Sequence, residues 1–224
     1  MTITIEDSTF VPIAELLANA AADDLQVRRQ LQMPRERYVK DKIRSHVQTL
    51  KKRFLSWQTS FDMGSLLLQE KLNTLSFDKK KPFVQEISGF LNGKKMPSEP
   101  FLSWLYEIAY DYYENRDWPQ ALALFHILIT LAPTVSDFWT ALGFVQRQLD
   151  EEEEALFSFS LALLLNPASP TPRYQLAELY YEKKLYTEAL TEISNLSEML
   201  KDTELTTNIS ELEDKVLSKQ RGGL

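Results

Sequence analysis

Between Leu102 and Lys201 one pattern of residues recurs three times at a spacing of 34 positions. Ala109, Gly143 and Ala177 are equivalent, and so are Ala121, Ala155 and Ala189. Phe125, Phe159 and Ile193 form a third set, Tyr112, Gln146 and Tyr180 a fourth, and Pro133 and Pro167 a fifth. Leu105 and Trp139 head the first two copies. Small residues at fixed offsets mean that two helices approach closely at the same place in each copy, where a larger side chain would force them apart. Trp139, Leu142 and Phe159 are the residues expected to fill the space around that crossing. Proline closes a copy because it lacks the N–H that a helix interior needs. One such hairpin cannot bury its apolar face alone, so the copies must stack.

This period, with its small residues, aromatic and terminal proline, is the signature of the tetratricopeptide repeat. The expected fold is all-α: an α-solenoid of three repeats, at about 102–135, 136–169 and 170–203, followed by a capping helix. Helices are expected at Phe101–Asn115, Trp118–Leu131, Val135–Leu149, Glu151–Leu165, Ser169–Lys183 and Tyr186–Leu200. The acidic run from Glu151 to Glu154 opens a helix, where the macrodipole favours acids. Leu205, Ile209, Leu212, Val216 and Leu217 give the stretch from Glu204 to about Lys219 an amphipathic pattern that suits a cap on the open end of the stack. The last four residues read as a frayed tail. Asn92 to Pro100 carries the strongest linker signal. It divides a helical extension, 1–97, for which dimerisation or a second binding role is expected, from the repeats and cap, 98–224.

The extension has its own pattern. Pro12 suits the first turn of a helix through Ala14, Leu17, Ala21 and Leu25, behind ten residues expected to be disordered. Val39, Ile43, Val47, Leu50, Phe54, Trp57 and Phe61 then fall at steps of three and four, one continuous helical stripe. Such a stripe either forms a seam with a partner helix or packs inside the same chain. Met63 and Gly64 are expected to break this helix ahead of Leu66, Leu67, Leu68, Leu72 and Leu75. Ser76 to Lys81 reads as a charged connector, and Pro82 as the opening of a short helix to Leu91.

Composition limits the function classes. With 44% hydrophobic and 25% charged residues, the chain has an ordinary globular make-up. No run approaches the ~20 apolar residues of a membrane span, and no signal peptide is expected. There are no cysteines, which excludes disulfides and thiolate zinc sites; a cytoplasmic address is the expectation. Residues 1–97 hold 16 Lys+Arg against 11 Asp+Glu, net +5, and residues 98–224 hold 9 against 21, net −12. The front is mildly basic and the back strongly acidic. Nucleic-acid binding through Arg35 to Arg53 is disfavoured by that acidic back.

Patterns that would support catalysis are nearly absent from the sequence. His46 and His126 are the two histidines, and neither has a carboxylate or second histidine at ligand spacing. Gly89, Gly93 and Lys94 imitate a phosphate loop but are one residue short, lack the Ser/Thr after Lys and follow a helix. No enzyme, cofactor or metal is expected.

Recognition remains. The positions of each first helix expected to face the inner groove are Ser103, Tyr106, Tyr110 and Tyr113, then Asp137, Thr140, Phe144 and Arg147, then Thr171, Tyr174, Glu178 and Tyr181. Half of these twelve are aromatic, which gives large contact area at small entropic cost. An extended peptide along such a groove would place apolar side chains between rings, with tyrosine hydroxyls, Arg147 and Glu178 available to its backbone. The alternative is that the rings merely pad the wall.

The stretch from about Phe83 to Leu196 resembles the class II chaperones of bacterial type III secretion. The likeness lies in Leu105-x-x-Ile108-Ala109, Ala121-x-x-x-Phe125-x-x-Leu128, Phe138-Trp139-x-x-Leu142-Gly143-x-x-Gln146 and Asn166-Pro167-x-Ser169-Pro170-x-Pro172. The resemblance implies a protein that holds a hydrophobic translocator before export, gripping an extended segment in pockets at Tyr106, Tyr110, Tyr113, Phe144, Tyr174 and Tyr181. It also implies a homodimer through N-terminal helices. About 80 residues precede the shared region, more than that family leads one to expect, and the basic helix has no counterpart in it. The alternative is a scaffold or regulatory adaptor that binds the tail of a folded partner.

Overall fold

The computed structural model describes residues 11–23, 35–91, 97–200 and 205–222. Among the described residues the regular elements are all α-helices: α1 Val11–Asp23, α2 Arg35–Ser56, α3 Gln58–Thr74, α4 Phe77–Leu91, α5 Glu99–Glu114, α6 Trp118–Leu131, α7 Ser136–Gln148, α8 Glu152–Leu165, α9 Pro170–Glu182, α10 Tyr186–Met199 and α11 Leu205–Gly222. The six repeat helices lie within two residues of their expected bounds. The expectations for residues 1–10, for 92–96 of the linker and for the last two residues fall outside the described residues; Arg221 and Gly222, expected in a frayed tail, instead close α11. The chain forms two compact units, Met1–Phe138 and Trp139–Leu224.

In the first unit, α5 and α6 are the hairpin of the first repeat. Ser98 caps α5, accepting from the Phe101 N–H at 3.5 Å, with Pro100 in the first turn. Phe101, Leu105 and Ala109, four apart, form its buried stripe. Helix α6 differs: every residue from Ala123 to Leu131 is buried. A helix that is apolar all round must be covered on more than one side. Helix α5 covers one side and α3 another.

The α3–α6 seam explains why no break occurs at Met63–Gly64. A Cβ on Gly64 would sit 2.6 Å from the Ala123 carbonyl oxygen and 3.1 Å from Ile127 Cδ1. The glycine lets two helices touch and α3 runs straight through it. Beside it His126 lies flat on Trp57, ring centroids 4.1 Å apart, with Nδ1 2.8 Å from Ser60 Oγ. Trp57 itself is the single non-helical residue between α2 and α3. The Phe61 N–H still reaches the Trp57 carbonyl at 2.9 Å, so the stripe continues across the join. Val47, Leu50, Phe54, Trp57 and Phe61 are all buried within this chain, which settles their choice between partner seam and internal packing. The side chains of Val39 and Ile43 lie outside the described residues.

Helix α4 starts at Phe77, earlier than expected, and takes in both the connector and Pro82. Its Glu86 accepts from the Ser98 N–H at 2.7 Å and from the Ser98 hydroxyl at 2.8 Å. Phe83 packs edge-on to Phe101 at 5.2 Å. The extension is thereby fastened to the start of the first repeat.

In the second unit the close approach foreseen at Gly143 is present: a Cβ there would fall 2.6–2.8 Å from the Phe159 ring. Next to it Ser158 donates to Gln146 Oε1 at 2.7 Å, both fully buried. The pair α9–α10 is covered by α11, whose Ile209, Leu212 and Val216 join Ala177, Ala189, Ile193 and Leu196 in one cluster. This is the expected cap.

Each first helix ends in the same way. Arg116, Asp150 and Lys184, 34 apart, have φ of 64°, 59° and 62°. After each, the next N–H returns five residues, from Asp117 to Tyr112, Glu151 to Gln146 and Leu185 to Tyr180, at 2.9, 2.9 and 2.8 Å. This is a Schellman stop built without glycine. A left-handed L-residue costs about 1–2 kcal/mol, less for Asp than for Arg or Lys.

Two outcomes follow for stability. Arg116→Gly and Lys184→Gly should each raise stability in urea unfolding by about 0.5–1 kcal/mol, the relief of strain exceeding glycine's entropy cost. Asp150→Gly should gain less. His126 is held down to about 3 by burial. A depressed histidine contributes stability that is present above its unfolded value near 6.5 and is lost as pH falls from there toward 3. Between pH 7.5 and 5 the loss should be about 2 kcal/mol, and His126→Gln should remove that part of the pH slope.

Candidate peptide-binding faces

The six aromatic positions lie on three first helices, three on α5 in the first unit and three on α7 and α9 in the second. On α5 the spacing of Tyr106, Tyr110 and Tyr113 places three rings along one face, and they stack in sequence. Tyr106 and Tyr110 are 6.3 Å apart and 9° from parallel; Tyr110 and Tyr113 are 6.1 Å and 23°. The ladder is anchored at both ends. Tyr106 meets Phe125 edge-on at 5.7 Å and stacks on Phe138 at 5.8 Å, and Tyr113 meets Trp118 edge-on at 5.0 Å. Tyr106 and Tyr113 are half-buried, while Tyr110, at the middle, is 45% exposed. Ser103 and Asp137 are exposed, and Asp137 lies near Tyr106. The anchoring rings were not among the sequence candidates. Their signal was available in Trp118, an aromatic placed at the opening of the second helix of the same hairpin.

All three phenols are held above their ordinary range and stay neutral. For Tyr106 the cause is burial, then the Asp137 carboxylate; for Tyr113, burial, then Glu114. For Tyr110 it is a hydrogen bond to Glu114, one turn on.

The second unit is arranged differently. Phe144 lies edge-on to Phe159 at 5.5 Å and packs on the Ala155, Phe159, Leu176 and Leu179 cluster. Tyr181 and Tyr174 pack on the cluster shared with α11, and Tyr181 is 6.2 Å from Tyr186. These rings are wall as much as surface. Thr140 is half-buried and Thr171 exposed. Tyr174 faces an apolar cleft of about 160 Å³ that Pro170, Leu196 and Ile209 also line. Burial, then the Glu178 carboxylate, holds the Tyr174 phenol up, Glu211 adding to it and Arg147 opposing.

Arg147 and Glu178 meet each other. The guanidinium donates to Glu178 at 2.9 Å, Gln175 at 2.7 Å and Glu182 at 2.8 Å, tying α7 to α9. Both residues are therefore already occupied, and neither offers a free charge to a ligand. Among the described residues no three His, Cys, Asp or Glu group as a metal site, and no helix is long and apolar enough to cross a membrane.

No family model and no curated protein matches this chain. Solved structures do. The type III secretion chaperone SycD of Yersinia enterocolitica, in complex with a peptide of the translocator YopD, matches at TM-score 0.52 and 23% identity, over 55% of this chain and 97% of that one. PcrH of Pseudomonas aeruginosa in complex with the chaperone binding region of PopD matches at TM-score 0.52 and 20% identity, over 55% and 96%. The TPR2B domain of yeast Sti1, in its pHsp70 complex, matches at TM-score 0.50 and 17% identity, over 53% and 97%. At these identities the likeness is one of fold: tetratricopeptide repeats in about half of this chain and nearly all of each neighbour.

The Arg147 cluster gives a direct check. In a double-mutant cycle, Arg147→Met with Glu178→Gln should show a coupling of about 0.5–1 kcal/mol, because both groups are partly shielded. The Lys183–Glu153 pair, whose carboxylate side chain is 78% exposed, should show less.

Proposed function

We propose that this chain is a non-catalytic chaperone of type III secretion. It binds an extended segment of a secreted, translocator-type protein on the faces of its first helices and keeps that protein soluble in the bacterial cytoplasm before export. The observation that carries this reading is the stacked, partly exposed tyrosine ladder of α5. Three near-parallel rings in sequence, the middle one 45% exposed, offer apolar contact along one line, which suits an extended strand. Two neighbours in fold hold such segments: SycD a peptide of the translocator YopD, and PcrH the chaperone binding region of PopD. In the second unit Phe144, Tyr174 and Tyr181, with Thr140, are the candidate contacts, and Arg147 and Glu178 shape the face by holding each other.

The functional division we propose is 1–97 and 98–224, with the extension as the region for a homodimer or a second client. Among the described residues its exposed Leu55, Leu66, Phe77 and Val84 are apolar side chains available for that role. A second reading, an adaptor for the tail of a folded partner, is favoured by the likeness to the Sti1 domain.

Co-expression with the proteins encoded beside it separates the two readings. A chaperone should bring an otherwise aggregating, membrane-active protein into the soluble fraction; an adaptor should co-elute with a partner that is soluble alone. Tyr110→Ala, and Tyr110→Ala with Phe144→Ala, should reduce capture about tenfold or more while circular dichroism stays unchanged; a loss of about 1.4 kcal/mol is a tenfold change. Undiminished capture by both variants would count against the faces.

A further inference from the structure

We propose that the tyrosine ladder of α5 selects client segments in which lysine or arginine is interspersed among apolar residues, and discriminates against acidic ones. The inference rests on the reading above and adds the chemistry of the segment.

Three observations meet at this surface. First, the ladder presents ring faces. The face of a tyrosine attracts a cation within about 6 Å of its centroid. The same helix already shows such a contact on its other side, where Lys71 Nζ stands 5.1 Å from the Tyr112 centroid. Second, α5 carries Glu99, Glu107, Asp111 and Glu114 and not one basic residue. Glu107, Asp111 and Glu114 are exposed, and Asp137 stands beside Tyr106. Tyr110 and Glu114 stand one helical turn apart and are both exposed, so a carboxylate shares the surface around the ring. Arg116, the nearest cation in sequence, lies beyond the end of the helix. Third, residues 98–138, which carry the ladder, hold six Asp and Glu against the single Arg116, a local charge that favours the approach of cationic segments.

The second unit, taken alone, has the same character. Arg147 is the one cation among the twelve first-helix face positions, and three acceptors consume it. Arg173 is likewise held by Glu192 at 2.7 Å and the Pro167 carbonyl at 3.0 Å. Tyr174 has Glu178 and Glu211 as its anionic neighbours. An incoming carboxylate would meet like charge on either face, whereas a lysine would find a carboxylate rim and a ring under its stem.

The experiment uses the full chain and four fluorescent peptides of equal length. Three share one leucine pattern with serine, lysine or glutamate at the spacer positions; the fourth has lysine and serine but no leucine. Anisotropy titrations at low salt should rank lysine–leucine above serine–leucine by roughly tenfold, and glutamate–leucine below it, with the gap closing at 0.5 M salt as charges are screened (about 10 Å range at 0.1 M). The triple variant Glu107→Gln, Asp111→Asn, Glu114→Gln should collapse the lysine-to-serine ratio, and Tyr110→Ala should weaken all leucine peptides. Equal binding of the three leucine peptides overturns the inference and leaves the chaperone reading standing. Tight binding of the lysine–serine peptide also overturns it, because bulk charge rather than the ladder would then be at work. Binding of no peptide overturns both.

Discussion

Everything in the repeat region depends on two helices being allowed to touch. Ala109 and Ala121 in the first hairpin, Gly143 and Ala155 in the second, and Ala177 and Ala189 in the third are all buried, the alanines to 0% exposure. At Gly143 there is no room for even a methyl group against Phe159. Once the helices cross this closely, large side chains can fill the remaining space around the crossing, as Trp139, Phe125 and Phe159 do. The other face of each first helix is then left to other uses. The tyrosine ladder exists because the α5 stripe of Phe101, Leu105 and Ala109 already satisfies the packing of that hairpin.

Much of this was legible in the sequence, because a 34-residue period ties each residue to its equivalents. The repeat helices, their small-residue crossings and the capping α11 follow from it. The extension was harder to read, since no repeat constrains it. Gly64 looked like a helix breaker when viewed locally; only the Ala123 carbonyl across the seam shows why a glycine stands there. A signal was present in the partner helix: α6 is apolar on all sides, which one hairpin partner cannot account for. His126 next to Phe125 gave no hint of its own that Trp57 and Ser60, more than sixty positions earlier, would enclose it.

The candidate faces were legible as positions but not as states. Periodicity picked out the rings, yet it could not distinguish Tyr110, the exposed middle of the α5 ladder, from Phe144 and Tyr181, which are half-buried against core clusters. Nor did it show that Arg147 and Glu178 would neutralise each other. The signal for that lay one repeat ahead: Glu178 and Glu182 are 31 and 35 positions on, three short of the 34-residue period and one beyond it, where the next first helix comes alongside. Lys183 and Glu152 pair across the same interval of 31 at 3.3 Å. The three left-handed stops show the period acting on the backbone itself, since the same strained residue recurs wherever a first helix must turn into its second.

Function as proposed requires the middle of the ladder to be a contact surface. A photo-crosslinking phenylalanine at position 110, in cells that make the secreted proteins, tests this most directly, with the same group at exposed Leu185 as a control. The account predicts an adduct at 110 whose attached fragment maps to one extended segment of a secreted protein, and none at 185. Adducts at 110 that map only to residues 1–97 of the chain itself would contradict it.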